Sequence, residues 1–200
     1  MERLNQHIKP KDKMKKLLLI ILLSAAFISC KKSTKSDDKV LSVERSSLEN
    51  AYIKADSIYT VCGRIDTAAF GQFIQQAIDY IDKNPDDSIS PEMFYRAGIA
   101  SMILAKRAKN EAFKAKNAKQ AIAIFNKFQQ IYSDNSAERY CYWQRAIIYE
   151  DILGDWRSAE TEYRDFINRY PNDSLTPVFL QYLKFLGKNS DEINQQLNIN

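Results

Sequence analysis

Apolar positions along the chain fall into two patterns. From Leu17 to Ile28 the run LLLIILLSAAFI is apolar at nearly every position, whereas beyond Leu41 apolar residues recur at helical spacing. Ala121, Ile124, Phe125, Phe128 and Ile131/Tyr132 show the i, i+3, i+4, i+7 stripe of a helix with one face to bury. Stripes and turn signals together predict helices at 43–61, 67–83 with Asp66 as cap, 91–105, 118–132, 137–152, 156–169 and 177–186. A short terminal helix is expected near 190–197, opened by Ser190-Asp191-Glu192. Five glycines and five prolines in 200 residues are too few for a turn-rich β protein, so the expected class is all-α.

The stripes repeat. Ala121 to Ser136 aligns without gaps on Ala159 to Ser174, every matched position being offset by 38. The ending returns a third time, Pro85-Asp-Asp-Ser88-Ile-Ser90-Pro91 matching Pro171-Asn-Asp-Ser174-Leu-Thr176-Pro177. Ser90 and Thr176 read as N-caps with proline at the first helical position, where a missing N–H costs nothing. Gly154 is expected to close the 137–152 helix in the left-handed conformation. Each unit is thus helix A, turn, helix B, turn, and neither helix can hide its apolar face without neighbours.

These residues resemble the tetratricopeptide repeat. Its small position in helix A corresponds to Gly98 and Ala146, its turn glycine to Gly154, and its small position in helix B to Ala121 and Ala159. The aromatic four residues later is Phe125 and Tyr163, and the closing proline is Pro85 and Pro171. The segment from Tyr149 to Gly154 is one residue longer than the family spacing, Ser133 stands where a proline is expected, unit two carries an insertion of roughly ten residues, and the first unit fits only at its end. The resemblance implies a right-handed superhelical stack of about three hairpins with a C-terminal capping helix. The long period and the Phe-x-x-x-Tyr-Pro ending are similar to a bacterial envelope subset that includes the lipoprotein of the β-barrel assembly machine and the Tol-Pal coordinator protein.

The apolar run Leu17–Ile28 follows Lys13, Lys15 and Lys16. At about 1.5 Å per residue it spans roughly 18 Å, short of a bilayer core, and reads as a signal sequence over residues 1–29. Residues 1–13 read as an upstream start. Phe27-Ile28-Ser29-Cys30 resembles a Bacteroidetes lipobox, which implies that Cys30 carries the lipid; several acyl chains would then hold the protein on its membrane. Residues 30–40 are polar and small, a tether before a domain at 41–200. Some Bacteroidetes lipoproteins carry an acidic run after the cysteine that resembles a surface-export tag; here lysines come first and only Asp37-Asp38 follow, so the anchor is expected in the outer membrane, facing the periplasm.

Charge sharpens the picture. Of 29 Lys/Arg and 25 Asp/Glu, six and two lie before Cys30, which leaves a neutral remainder without the cationic surplus of a nucleic-acid binder. The sole histidine is His7, so the domain offers no His-based triad, general base or metal site. Neither a G-x-S-x-G nucleophile elbow nor a GxxxxGK(S/T) phosphate loop occurs, and no cofactor is expected. Asp82, Asp86 and Asp87, and Glu150, Asp151 and Asp155, keep a two-carboxylate hydrolase as the least favoured reading beside ordinary caps and turns. Cys62 and Cys141 are expected to be separate thiols two hairpins apart, too distant to bridge.

Helix A lines the concave groove in this repeat type, and the register implies groove positions at Glu92, Tyr95, Ile99, Met102, Tyr140, Trp143, Ile147, Glu150, Val178 and Gln181. Tyr and Trp there would carry binding energy; alternatively Tyr95 and Trp143 pack between adjacent A helices. Lys106, Arg107, Lys109, Lys114, Lys116 and Lys119, opposed only by Glu111, are either an anionic-lipid contact or a solvated helix extension. The expected function is a membrane-anchored scaffold that grips a segment of another envelope protein. The alternative is a structural subunit of an outer-membrane assembly such as the barrel-insertion machine.

Overall fold

A computed structural model describes residues 35–62, 64–188 and 192. The chain divides into two compact units, Met1–Leu41 and Ser42–Asn200, and of the first only residues 35–41 are described. The signal, the lipidation position Cys30, Lys31–Thr34 of the tether and all of the expected terminal helix but Glu192 lie outside the described residues.

Among the described residues seven α-helices follow in order: α1 Lys35–Cys62, α2 Thr67–Lys83, α3 Ser90–Lys106, α4 Glu111–Ile131, α5 Glu138–Ile147, α6 Trp156–Arg169 and α7 Thr176–Phe185. A π-helical turn, Ile148–Leu153, prolongs α5. No strand occurs among the described residues, and the class is all-α. From α2 onward each helix packs on the next, and Tyr52 brings α1 onto α2 through the Phe73 ring, 5.3 Å between centroids. The result is a serial stack of antiparallel hairpins, closed in the described part by α7.

Two of the predicted helices begin too late. Helix α1 starts at Lys35, eight residues before the expected 43 and inside the expected tether. Its added turns carry exposed Asp38, Lys39 and Val40, and a solvated extension shows no apolar stripe to read. Helix α4 starts at Glu111 because Asn110 Oδ1 accepts the Phe113 N–H at 2.9 Å, so most of the supposed insertion is helix. The expected cap Asp66 holds α2 through the Ala68 and Ala69 N–H groups, both at 3.0 Å, and the structure adds Asp155, which caps α6 through Ser158.

The expected capping by Ser90 and Thr176 is corrected. Their hydroxyls instead donate backwards to the carbonyls of Asn84 and Tyr170, each at 2.6 Å. The capping acceptor stands three residues earlier. Asp87, Asn135 and Asp173 each accept the backbone N–H two residues on, from Ile89 at 3.1 Å, Ala137 at 2.9 Å and Leu175 at 2.9 Å. The same residues donate their own N–H to the carbonyls of Asn84, Tyr132 and Tyr170. Three copies of one Asx-turn therefore set the step from hairpin to hairpin.

Small residues lie where the helices cross. Ala121, Ala146 and Ala159 have no exposed surface, and Gly98 lets α3 approach the Phe125 ring. Ala121 and Ala159 are each followed by a buried aromatic, Phe125 and Tyr163. The latter belongs to a core with Ala146, Phe166 and Phe179, against which Trp143, Tyr142 and Tyr149 pack. Gly154 has φ +66°, as its place after the π-helical turn requires. Pro85 and Pro171 open the Asx-turns.

Candidate partner-binding groove

The A-type helices α1 and α3 enclose a largely apolar cavity of about 450 Å³. Leu48 and Ala55 turn the inward stripe of α1 into the core, while Tyr52 and Asp56 reach the cavity wall. Phe70 and Phe73 of α2 form part of its base. Tyr95, Ile99 and Ile103 line it from α3, and Asn135 and Ala137 from the turn before α5.

Of the expected groove residues, Glu92, Tyr95 and Ile99 line this cavity. Tyr95 also belongs to the packing: its ring meets Phe125 and Phe128 edge-on at 5.5 and 5.7 Å, and its hydroxyl accepts the Gln144 amide at 3.2 Å. Burial pushes its pKa up to about 12, so it acts as a neutral hydrogen-bonding group. Glu92 pairs with Arg96, whose guanidinium lies 4.2 Å from the centroid of the Tyr52 ring. Arg96 thereby ties α3 to α1 at the mouth.

The remaining expected positions do not join that cavity. Trp143 packs between adjacent A helices, 6.1 Å from the Phe179 ring. Glu150 accepts the Tyr163 hydroxyl at 2.9 Å and is tied to α6. Tyr140 receives the Arg139 guanidinium at 2.9 Å through its hydroxyl. Met102 and Ile147 are half-buried outside the cavity lining, and Val178 and Gln181 are exposed on α7. Sequence reasoning missed Tyr52, Asp56, Phe73 and Ile103. The Leu48, Tyr52, Ala55 stripe was readable, but no repeat motif in the first unit assigned its register.

A buried polar network was also missed. Arg145 on α5 grips Glu162 on α6 with two hydrogen bonds of 2.8 and 2.7 Å, and its third nitrogen donates to Gln129 of α4. Gln129 donates at 2.8 Å to Glu138, which also accepts the Tyr170 hydroxyl. Both carboxylates thus have partners in the interior, the condition under which buried charge is tolerated. Nearby, the Cys141 thiol is fully covered and its pKa is pushed to about 12 by burial, which leaves it inert as a nucleophile. The Cys62 side chain lies outside the described residues.

Most of the acids considered for hydrolysis have structural partners: Asp82 with Lys127, Asp87 with Arg45, Glu150 with Tyr163, Asp151 with Lys106 and Asp155 with the α6 N-terminus. No group of three or more metal-ligating side chains occurs among the described residues. Nor is any described helix long and apolar enough to cross a membrane.

The tetratricopeptide repeat family model matches residues 140–173, which take in most of α5, the π-helical turn and α6 and end at Asp173 of the Asx-turn. No curated protein matches the chain. Residues 140–173 are thus similar to a tetratricopeptide repeat, a module that generally mediates protein–protein interaction. The extra residue before Gly154 is absorbed by the π-helical turn, where the Asp155 N–H reaches back to the Tyr149 carbonyl at 2.8 Å.

Proposed function

We propose that the protein is a lipid-anchored binding scaffold of the bacterial cell envelope that holds a segment of another envelope protein, with the α1–α3 cavity as its anchor point. The observation that carries this reading is the cavity itself: 450 Å³ of mostly apolar space between two A-type helices, walled by Tyr52, Tyr95, Ile99 and Ile103. Concave apolar sites with a few polar groups at the rim are where a partner's large side chain is buried with most gain. With Glu92 paired to Arg96, Asp56 is the remaining acid at that rim, which favours a segment carrying an apolar anchor beside a cation. Anchoring through Cys30 in the outer membrane rests on the lipobox, and the periplasmic face on the lysines, rather than an acidic run, that follow Cys30.

A second reading has its own support. Val178, Leu180 and Tyr182 leave apolar surface exposed on α7, and a structural subunit docking by its edge into an outer-membrane assembly would use that face. Crosslinked co-purification from detergent-solubilised membranes separates the two. Ile99→Glu or Ile103→Glu should cut partner recovery at least about ten-fold, the loss of one buried anchor, with an unchanged thermal transition. Leu180→Asp should leave recovery intact. Loss only with Leu180→Asp would replace the groove reading by the edge reading.

A further inference from the structure

Two of the six cations between residues 106 and 119 are engaged locally: Lys106 lies 3.7 Å from Asp151 and Lys114 lies 2.7 Å from Glu111. Arg107, Lys109, Lys116 and Lys119 are exposed and make no ion pair among the described residues. Phe113 stands among them, 39% exposed. With α4 starting at Glu111, Phe113 and Lys116 share a helical face, Lys119 follows one turn on, and Lys109 precedes them in the loop. Beside Phe113 is a cavity of about 350 Å³ with Ile65, Leu104 and Ala108 in its lining and Arg107 and Lys109 along it.

An exposed phenylalanine alone needs no explanation. With Arg107 and Lys109 at the same apolar hollow and Lys116 on the same helical face, it matches a surface that is anionic outside and hydrocarbon within. We propose that the segment Arg107–Lys119 docks on an anionic phospholipid bilayer, its cations at the headgroup phosphates and Phe113 at the acyl boundary. A polyanion lacking hydrocarbon would use the cations and leave Phe113 in water. This surface is separate from the α1–α3 groove and does not depend on what that groove binds.

The test is amide exchange on the full chain in phosphatidylcholine vesicles with and without phosphatidylglycerol. Local protection is the readout, since the apolar run near the N-terminus is present in both arms. Exchange at Arg107–Lys114 should slow only with phosphatidylglycerol and recover at high salt, as a screened contact must. Lys109→Gln and Lys116→Gln should each weaken the docking equilibrium about five-fold, and Phe113→Ser should weaken it further at unchanged thermal stability. Should Phe113→Ser prove unstable, the two glutamine variants still decide. Equal exchange in both vesicles, insensitivity to the glutamine variants, or the same slowing by soluble polyphosphate beside neutral vesicles would overturn the proposal.

Discussion

Gly98 lies against the ring of Phe125 so closely that a β-carbon at residue 98 would come 2.7 Å from Phe125 Cε1. Alanine would gain about 1 kcal/mol of helix propensity there. Overpacking against a ring with no exposed surface costs typically 1–3 kcal/mol, and the contact is too short for a small shift to relieve. Gly98→Ala should therefore lower stability in denaturant titration, and adding Phe125→Leu should recover part of the loss. A stabilised Gly98→Ala protein would show that α3 and α4 are not in this contact.

Arg145 and Glu162 are 5% and 15% exposed at their side chains. Removing one partner strands the other in the interior, so Arg145→Met should cost about 3–5 kcal/mol of unfolding free energy. Arg145→Met/Glu162→Met should cost much less, because no unpaired charge remains. Equal losses for the single and double variants would contradict the pairing.

Much of the stack was readable because its rules are local. The 38-residue offset, Gly154 and Asp66 depend on neighbours in sequence, and α2 and α6 have the ends expected of them. What escaped depends on partners far along the chain. Counting back from the caps Asn84 and Tyr132, Phe73 occupies the small position held by Ala121 and Ala77 the aromatic position held by Phe125, so the first hairpin keeps the pattern with large and small exchanged. No single helix reveals that exchange, and with it the Tyr52 side of the cavity went unread. Glu150 illustrates the converse: its spacing suited a groove, but the extra residue taken up by the π-helical turn lies in its own segment, and its carboxylate bonds Tyr163 on α6.

Asp87 and Asn135 occupy equivalent Asx-turn positions, and only the aspartate has an arginine partner, Arg45. Burial pulls the Asp87 pKa upward, yet the Arg45 guanidinium and the Ile89 N–H outweigh it and hold the carboxyl below its usual range. A depressed folded-state pKa gives stability that is complete above the unfolded value, near 4, and is lost as pH falls toward the folded value. Asp87→Asn keeps the turn and loses the ion pair, at roughly 1 kcal/mol near neutral pH given that Arg45 is 39% exposed. The gap to the unsubstituted protein should stay level from neutrality to about pH 5 and close on further acidification. A gap independent of pH would remove Arg45–Asp87 from the account.

Site-specific photo-crosslinking in the native host tests the central claim most directly, with the crosslinking residue placed in turn at Ile103 in the α1–α3 cavity and at Leu180 on the α7 edge. If the cavity holds the partner, Ile103 yields a discrete crosslinked species that Ile99→Glu abolishes, while Leu180 yields none. A species formed from Leu180 alone, indifferent to Ile99→Glu, would contradict it.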